Sequence, residues 1–198
     1  MLVIDRRSFL KTAAVGAVAA ASGSSTDATA ADIGGSVEAP GFYRFRLGEF
    51  HIAPLCDGVF SLPTDSIATN VEAGERKAYF DAHYMTADVF PLQANPLLIE
   101  TGEKRILVDT GMGPGQNWAP SAGRLAKSLD EAGVTHEAID TIVLTHCHVD
   151  HVGGLDAAAT SQFPNAEVVL SEIELDLWNS PDAASKLPEF GLHRRAVA

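Results

Sequence analysis

The sequence predicts an α+β fold in one domain. Three observations carry that expectation. The 198-residue chain is 46% hydrophobic, enough for one real core. The first half of its folded region reads as hairpins of apolar and polar residues. The second half alternates strands with helices, so the expected order is two hairpins followed by βαβαβα.

The fold is expected to begin near Gly41. The stretch FYRFRLGEFHIAPLCDG alternates around Gly48 and predicts a hairpin. Residues 72–90 read as helical and then irregular. In NPLLIETGEKRILVDTG, Leu97–Glu100 and Arg105–Asp109 are two apolar strands joined by Thr101-Gly102-Glu103-Lys104. From Ser121 to Ala132, Leu125, Ala126, Leu129 and Ala132 recur at helical spacing, and Gly133 is a stop. Thr141–Leu144 is a short buried strand. Gly153–Ala159 opens a helix, and Ala166–Leu170 is another strand. Ser171 then caps a helix to about Trp178, with Glu174 in capping-box position.

Net charge is −12, with 14 Lys+Arg against 26 Asp+Glu. An acidic surface repels phosphate backbones, so nucleic acid is not expected as a partner. No apolar run is long enough to cross a membrane, so the mature form is not expected to sit in one. The expected partner is a small-molecule substrate, and a homodimer stays an open option.

Ahead of the fold, Arg6-Arg7-Ser8-Phe9-Leu10-Lys11 precedes a weakly apolar Ala/Gly/Val run, and Ala28-Thr29-Ala30 fits a cleavage site. This segment resembles a twin-arginine export signal, departing from it at Asp5, where Ser or Thr is usual. The expected division is a signal over residues 1–30, a linker over 31–40 and the folded domain over 41–198. The expected location is the periplasm or outside the cell. The only cysteines are Cys56 and Cys147, which is no disulfide framework; two buried thiols are the expectation, and one bridge between them is the alternative.

The chemistry is concentrated in THCHVDHVGG, residues 145–154. His146 and His148 lie two apart, so in an extended segment they point to one side and can share a metal ion. Cys147 between them should point away. Asp150 and His151 follow after the chain turns and can face a second ion. Two ions about 3.5–4 Å apart clamp a substrate oxygen and activate water between them. His with one carboxylate suits zinc, with iron, manganese or cobalt as alternatives. A chance histidine cluster or a one-metal structural site is the competing reading. Four candidate ligands in six positions, at the C-terminal end of a buried strand, weigh against it.

THCHVDHVGG resembles the H-x-H-x-D-H motif of the metallo-β-lactamase superfamily, and the resemblance extends back through LLIETGEKRILVDTG. It implies an αββα sandwich, of which these residues would supply the N-terminal αβ half. It also implies His146 and His148 for one zinc ion and Asp150 and His151 for a second. Asp109 matches an acidic position beside the site that is usually structural. His148 stands where diiron redox members carry Glu, and His151 where one large β-lactamase group carries Arg. APGFYRFRLGEFHIAPLCDGVFSLP and FPNAEVVLSEIELDLW resemble the methyl parathion hydrolase-like and lactonase-like branch. In that branch aromatic side chains line the substrate pocket, and Trp118 and Trp178 fall at matching places, with ordinary packing as the competing reading. Phe90 is a weaker match.

The implied activity is hydrolysis of a lactone, an ester or an organophosphate triester by a metal-bound hydroxide, with Asp150 both a ligand and a catalytic residue that orients it. A secreted β-lactamase is the alternative within the same motif. The resemblance further implies a third His, a bridging Asp and a final His well after the motif. After His151 the remaining histidine is His193, read as exposed tail. The expectation is a domain truncated at its C-terminus, with one sheet face uncovered, weak metal binding and little hydrolysis. A non-catalytic fragment with an incomplete site is the corresponding alternative.

Overall fold

The structure, a computed structural model, describes residues 40–86, 88–155 and 162–182. The export signal, most of the linker, the continuation of the helix to Ala159, and His193 lie outside these residues.

Among the described residues, eight strands form two sheets. Strands β1 (Phe45–Leu47), β2 (Phe50–Pro54), β5 (Leu97–Glu100), β6 (Arg105–Val108), β7 (Thr141–Val143) and β8 (Glu167–Val169) make a six-stranded sheet in the order β1-β2-β5-β6-β7-β8. Pairing is antiparallel from β1 to β6 and parallel from β6 to β8. The hairpin around Gly48 and the hairpin closed by Thr101–Lys104 are both present, the first with Gly48 at a φ of 60°.

The second sheet was not expected from the sequence. Strands β3 (Gly58–Pro63) and β4 (Val89–Ala94) pair antiparallel from Gly58↔Ala94 to Pro63↔Val89. Between them runs helix α1 (Ala73–Ala82). Residues 72–90 are thus helical and then irregular as expected, except that the last two, Val89 and Phe90, open β4. Pro91 inside β4 disguises it, because proline cannot donate to a ladder.

Helix α2 (Leu125–Glu131) covers its apolar positions but begins four residues after the expected Ser121. Its expected first turn is taken apart by the carboxylate of Asp57, which is fully buried. Oδ1 accepts the amide of Leu125 at 2.9 Å, and Oδ2 accepts those of Gly123 at 3.2 Å and Met112 at 2.8 Å. Gly123 answers with a φ of 80°, which ordinary residues avoid. Gly133, at a φ of 72°, ends α2 as expected.

The main core lies on one face of the large sheet. Ala53, Leu98, Leu107 and Ile142 stand in register across β2, β5, β6 and β7 and pack with Leu125 and Leu129 of α2. Helix α4 (Glu172–Asn179) adds Trp178 to the same core. Ser171 does cap α4 by position, but its side chain makes no capping hydrogen bond. A second cluster joins Phe60, Ala94, Met112, Ala119 and Val149, and so ties the small sheet to the histidine segment.

The register puts Phe45, Leu47, Phe50, Ile52, Leu97, Ile99, Ile106, Val108, Val143 and Val169 on the opposite face of the large sheet. Of these, Phe45, Leu47, Phe50 and Val169 are exposed. Contiguous apolar surface of this kind is where protein normally packs against protein.

Candidate metal centre

The histidine segment leaves the C-terminal end of β7. Residues 145–148 are a loop, and Val149–Val152 form the short helical turn α3. His148 precedes that turn in extended conformation, at φ −72° and ψ 154°. The helix therefore starts four residues before the expected Gly153, and Gly153–Leu155 tighten into a 3-10 turn. The paired glycines have a packing reason. A Cβ on Gly153 would collide with the carbonyl of Met112, and one on Gly154 with that of Thr110. Backbone lies directly on backbone, and Thr110 N donates to His151 O at 2.7 Å.

This arrangement brings all four expected ligands together. The rings of His146 and His148 lie with centroids 4.8 Å apart, and those of His146 and His151 3.9 Å apart. His151 Nε2 faces Asp150 Oδ2 at 3.2 Å. Cys147 is fully buried in the main core, and neither it nor Cys56 is in a disulfide. Burial pushes the Cys147 thiol up to about 11, with Glu174 and Asp109 adding to the effect, so it stays a thiol.

Asp109 organises the cluster. It follows β6 in the left-handed region, at a φ of 63°, a conformation that costs a non-glycine residue energy and persists where surroundings impose it. Its Oδ1 accepts the Thr145 amide at 2.8 Å. Its Oδ2 accepts His151 Nδ1–H at 2.8 Å. The imidazole is thereby held with Nε2 pointing away from Asp109, the geometry by which a carboxylate orients a metal-binding histidine.

The charges agree with that geometry. Burial works against a charged His151, but the hydrogen bonds to Asp109 and Asp150 outweigh it and carry its pKa up to about 9. Burial likewise opposes ionisation of Asp109 and Asp150, and the His151 partnership overrides it to hold both below the usual range. His146 moves the other way, lowered by burial and by its histidine neighbours.

Among the described residues no three His, Cys, Asp or Glu side chains are set as a ready cage for a cation. The donors meet one another instead, with Asp150 against His151 Nε2. Their chemistry nevertheless fits a divalent ion: three imidazoles and a carboxylate converge, and two carboxylates favour positive charge at His151. Replacing Asp109 by Ala is expected to weaken zinc affinity about tenfold or more, by analogy with other carboxylates that orient metal-bound histidines. A chelator-competition titration measures this. Unchanged affinity would show that His151 needs no such partner.

The expected pocket aromatics are placed differently from one another. Trp118 is 46% exposed and meets Phe60 edge-on at 5.8 Å, and Phe60 packs in the cluster that contains Val149. Trp178 is 3% exposed in the main core, with its ring edge-on to His148 at 6.0 Å. Phe90 lies 6.0 Å from Phe80 and lines an apolar cavity of about 520 Å³ with Ile67, Val71, Tyr79, Phe80 and Met85. The sequence reading missed Asp57, whose partners lie 55 to 68 residues away. The Asp-Gly pair after a strand was its only local signal.

Residues 89–188 match the model of the metallo-β-lactamase superfamily, and residues 3–23 match that of the twin-arginine translocation pathway signal sequence. The latter is an address for export to the periplasm or out of the cell. Among solved structures, the chain is similar to AidC, a dizinc quorum-quenching lactonase in complex with N-hexanoyl-L-homoserine, at 31% identity and a TM-score of 0.69. That match covers 79% of this chain and 57% of AidC. It is also similar to AbOPH, a hydrolase of the β-lactamase superfamily, at 27% identity and a TM-score of 0.68, covering 81% of this chain and 55% of that one. A curated relative, a β-lactamase-like protein 2 homolog of Caenorhabditis elegans, is 42% identical over 69 residues, which are 34% of this chain and 21% of that protein. The chain thus spans just over half of these solved structures and about a fifth of that relative.

Proposed function

The chain belongs to the metallo-β-lactamase superfamily, and from that premise we propose that it serves an exported metal-dependent hydrolase acting on a lactone, an ester or an organophosphate triester, in that order of preference. The observation that carries the reading is the meeting of His146, His148, Asp150 and His151 at one strand end, with Asp109 holding His151. The likeness to a dizinc lactonase supports a lactone substrate, and that to a superfamily hydrolase supports hydrolysis, both above 25% identity.

In this reading His146 and His148 take one zinc ion, and Asp150 and His151 a second. A bound pair of such ions supplies Lewis acidity and lowers the pKa of water toward neutrality. The chain's own residues do the rest. Asp109 keeps the Nδ1 proton on His151 and leaves Nε2 as donor. Thr145 spans the two carboxylate oxygens of Asp109 through its hydroxyl and so stops that carboxylate from turning. Asp150 combines ligation with orientation of the attacking water. Trp118, exposed beside the cluster that includes Val149, offers a flat apolar rest for the substrate.

A second reading, a metal-binding chain without hydrolytic activity of its own, draws on the absence of a ready three-donor cage among the described residues. A panel of a lactone, an aryl ester, a phosphate triester and a β-lactam separates the possibilities. Lactone turnover that is slow, as the sequence leads one to expect, but that a chelator abolishes and zinc restores is the expected result. Turnover of the β-lactam alone would replace the proposed substrate class, and no turnover with zinc bound would favour the second reading.

A further inference from the structure

We propose that Glu174 is a positioning residue for the His146–His148 segment, one carboxylate oxygen fastening that loop to helix α4. The inference rests on reading the histidine segment as a metal centre. Oε2 of Glu174 accepts the backbone amide of Cys147 at 3.0 Å. The same oxygen accepts the indole Nε1–H of Trp178 at 2.9 Å, one helical turn further along α4. Cys147 is the residue between two of the four ligands, and its side chain is sunk in the main core. Glu174 is thus not the capping-box residue that its spacing from Ser171 suggests; its carboxylate is spent on the loop.

Two carboxylates therefore hold alternate amides of the ligand loop. Thr145 N donates to Asp109 and Cys147 N to Glu174. Fixing every second amide of a loop fixes the direction of the side chains between and after them, here His146 and His148. Trp178 adds a wall, its ring edge-on to His148 with centroids 6.0 Å apart. A buried indole needs an acceptor, and Glu174 supplies it. Trp178, expected to line the substrate pocket, is on this geometry part of the support behind the ligands.

The shared oxygen makes the test specific. Glutamine can place its carbonyl oxygen where Oε2 stands and keep both donors, whereas alanine loses both. Amide hydrogen exchange of the protein without added metal, read by NMR, is the first measurement. Glu174→Ala is expected to speed exchange at Cys147 about tenfold while leaving Leu107 and Ile142, on β6 and β7, unchanged. Glu174→Gln is expected to stay within about threefold of the parent at all three amides. The Trp178 indole proton should shift in Glu174→Ala and hold its position in Glu174→Gln. Unchanged exchange at Cys147 in Glu174→Ala would overturn the proposal. So would parallel acceleration at all three amides, which is the signature of a residue that merely supports the fold. If Glu174→Ala does not fold, Glu174→Asp withdraws the oxygen by one methylene and should show the same local acceleration.

Zinc competition is the second measurement, with affinity expected to fall about tenfold in Glu174→Ala and to recover in Glu174→Gln. Failure of the parent protein to take up zinc would contradict the metal-centre reading instead, and the exchange result would still decide the role of Glu174.

Discussion

Replacing His148 by Ala is expected to remove bound metal and hydrolytic turnover together. His148 is exposed at the mouth of the site, before α3, and its ring lies 4.8 Å from that of His146. Its side chain is not part of either apolar core. The substitution should therefore leave folding largely intact while halving the donor set for one ion. Loss of a ligand exceeds loss of a residue that orients one, so turnover should fall by roughly 100-fold or more. Metal content by elemental analysis and rate on a lactone should drop in the same preparation. A variant with full metal content and full rate would remove His148 from the site.

The second large effect is on stability. Asp57→Ala is expected to cost about 3–5 kcal/mol, because a buried acceptor is removed from under three amides. Those amides belong to Met112, Gly123 and Leu125, and the first sits in the backbone that presses on Gly153. Asparagine should not rescue fully. Both oxygens accept amides, so its NH2 must face an N–H in either orientation. Urea denaturation checks the prediction. A loss below about 1 kcal/mol for Asp57→Ala would mean that the loop repacks around the vacancy.

What could be read from the sequence follows from how local each signal is. The proposed ligand set lies within six consecutive positions, and its members do meet. Both hairpins of the large sheet announce themselves by tight turns, at Gly48 and at Thr101–Lys104. By contrast, β3 and β4 are separated by helix α1, and nothing within either strand points to the other. The helix expected to start at Ser121 begins only at Leu125, its first apolar position. What cuts it short is Asp57, a residue far back in the chain. Glu174 shows the same limit from the other side. Its spacing from Ser171 satisfies a local rule, but the donors it serves are Cys147 and Trp178. Local rules found the proposed ligands; the residues that contact their loop are tertiary, and only the folded chain shows them.

The same division applies to the aromatic residues. Trp118 and Trp178 have equal standing in the sequence. The fold separates them, leaving the first on the surface over Phe60 and burying the second behind His148. On the proposed reading, Trp118 is the one open to a substrate, and Trp178 would act through the histidine in front of it.

Everything proposed for the loop after β7 turns on its holding metal. Anomalous diffraction at the zinc absorption edge, from crystals of the protein grown with zinc, tests it most directly. The expected result is a peak in contact with the imidazoles of His146 and His148, and density for a second ion between Asp150 and His151. Zinc bound only elsewhere, with these four side chains still facing one another, would contradict it.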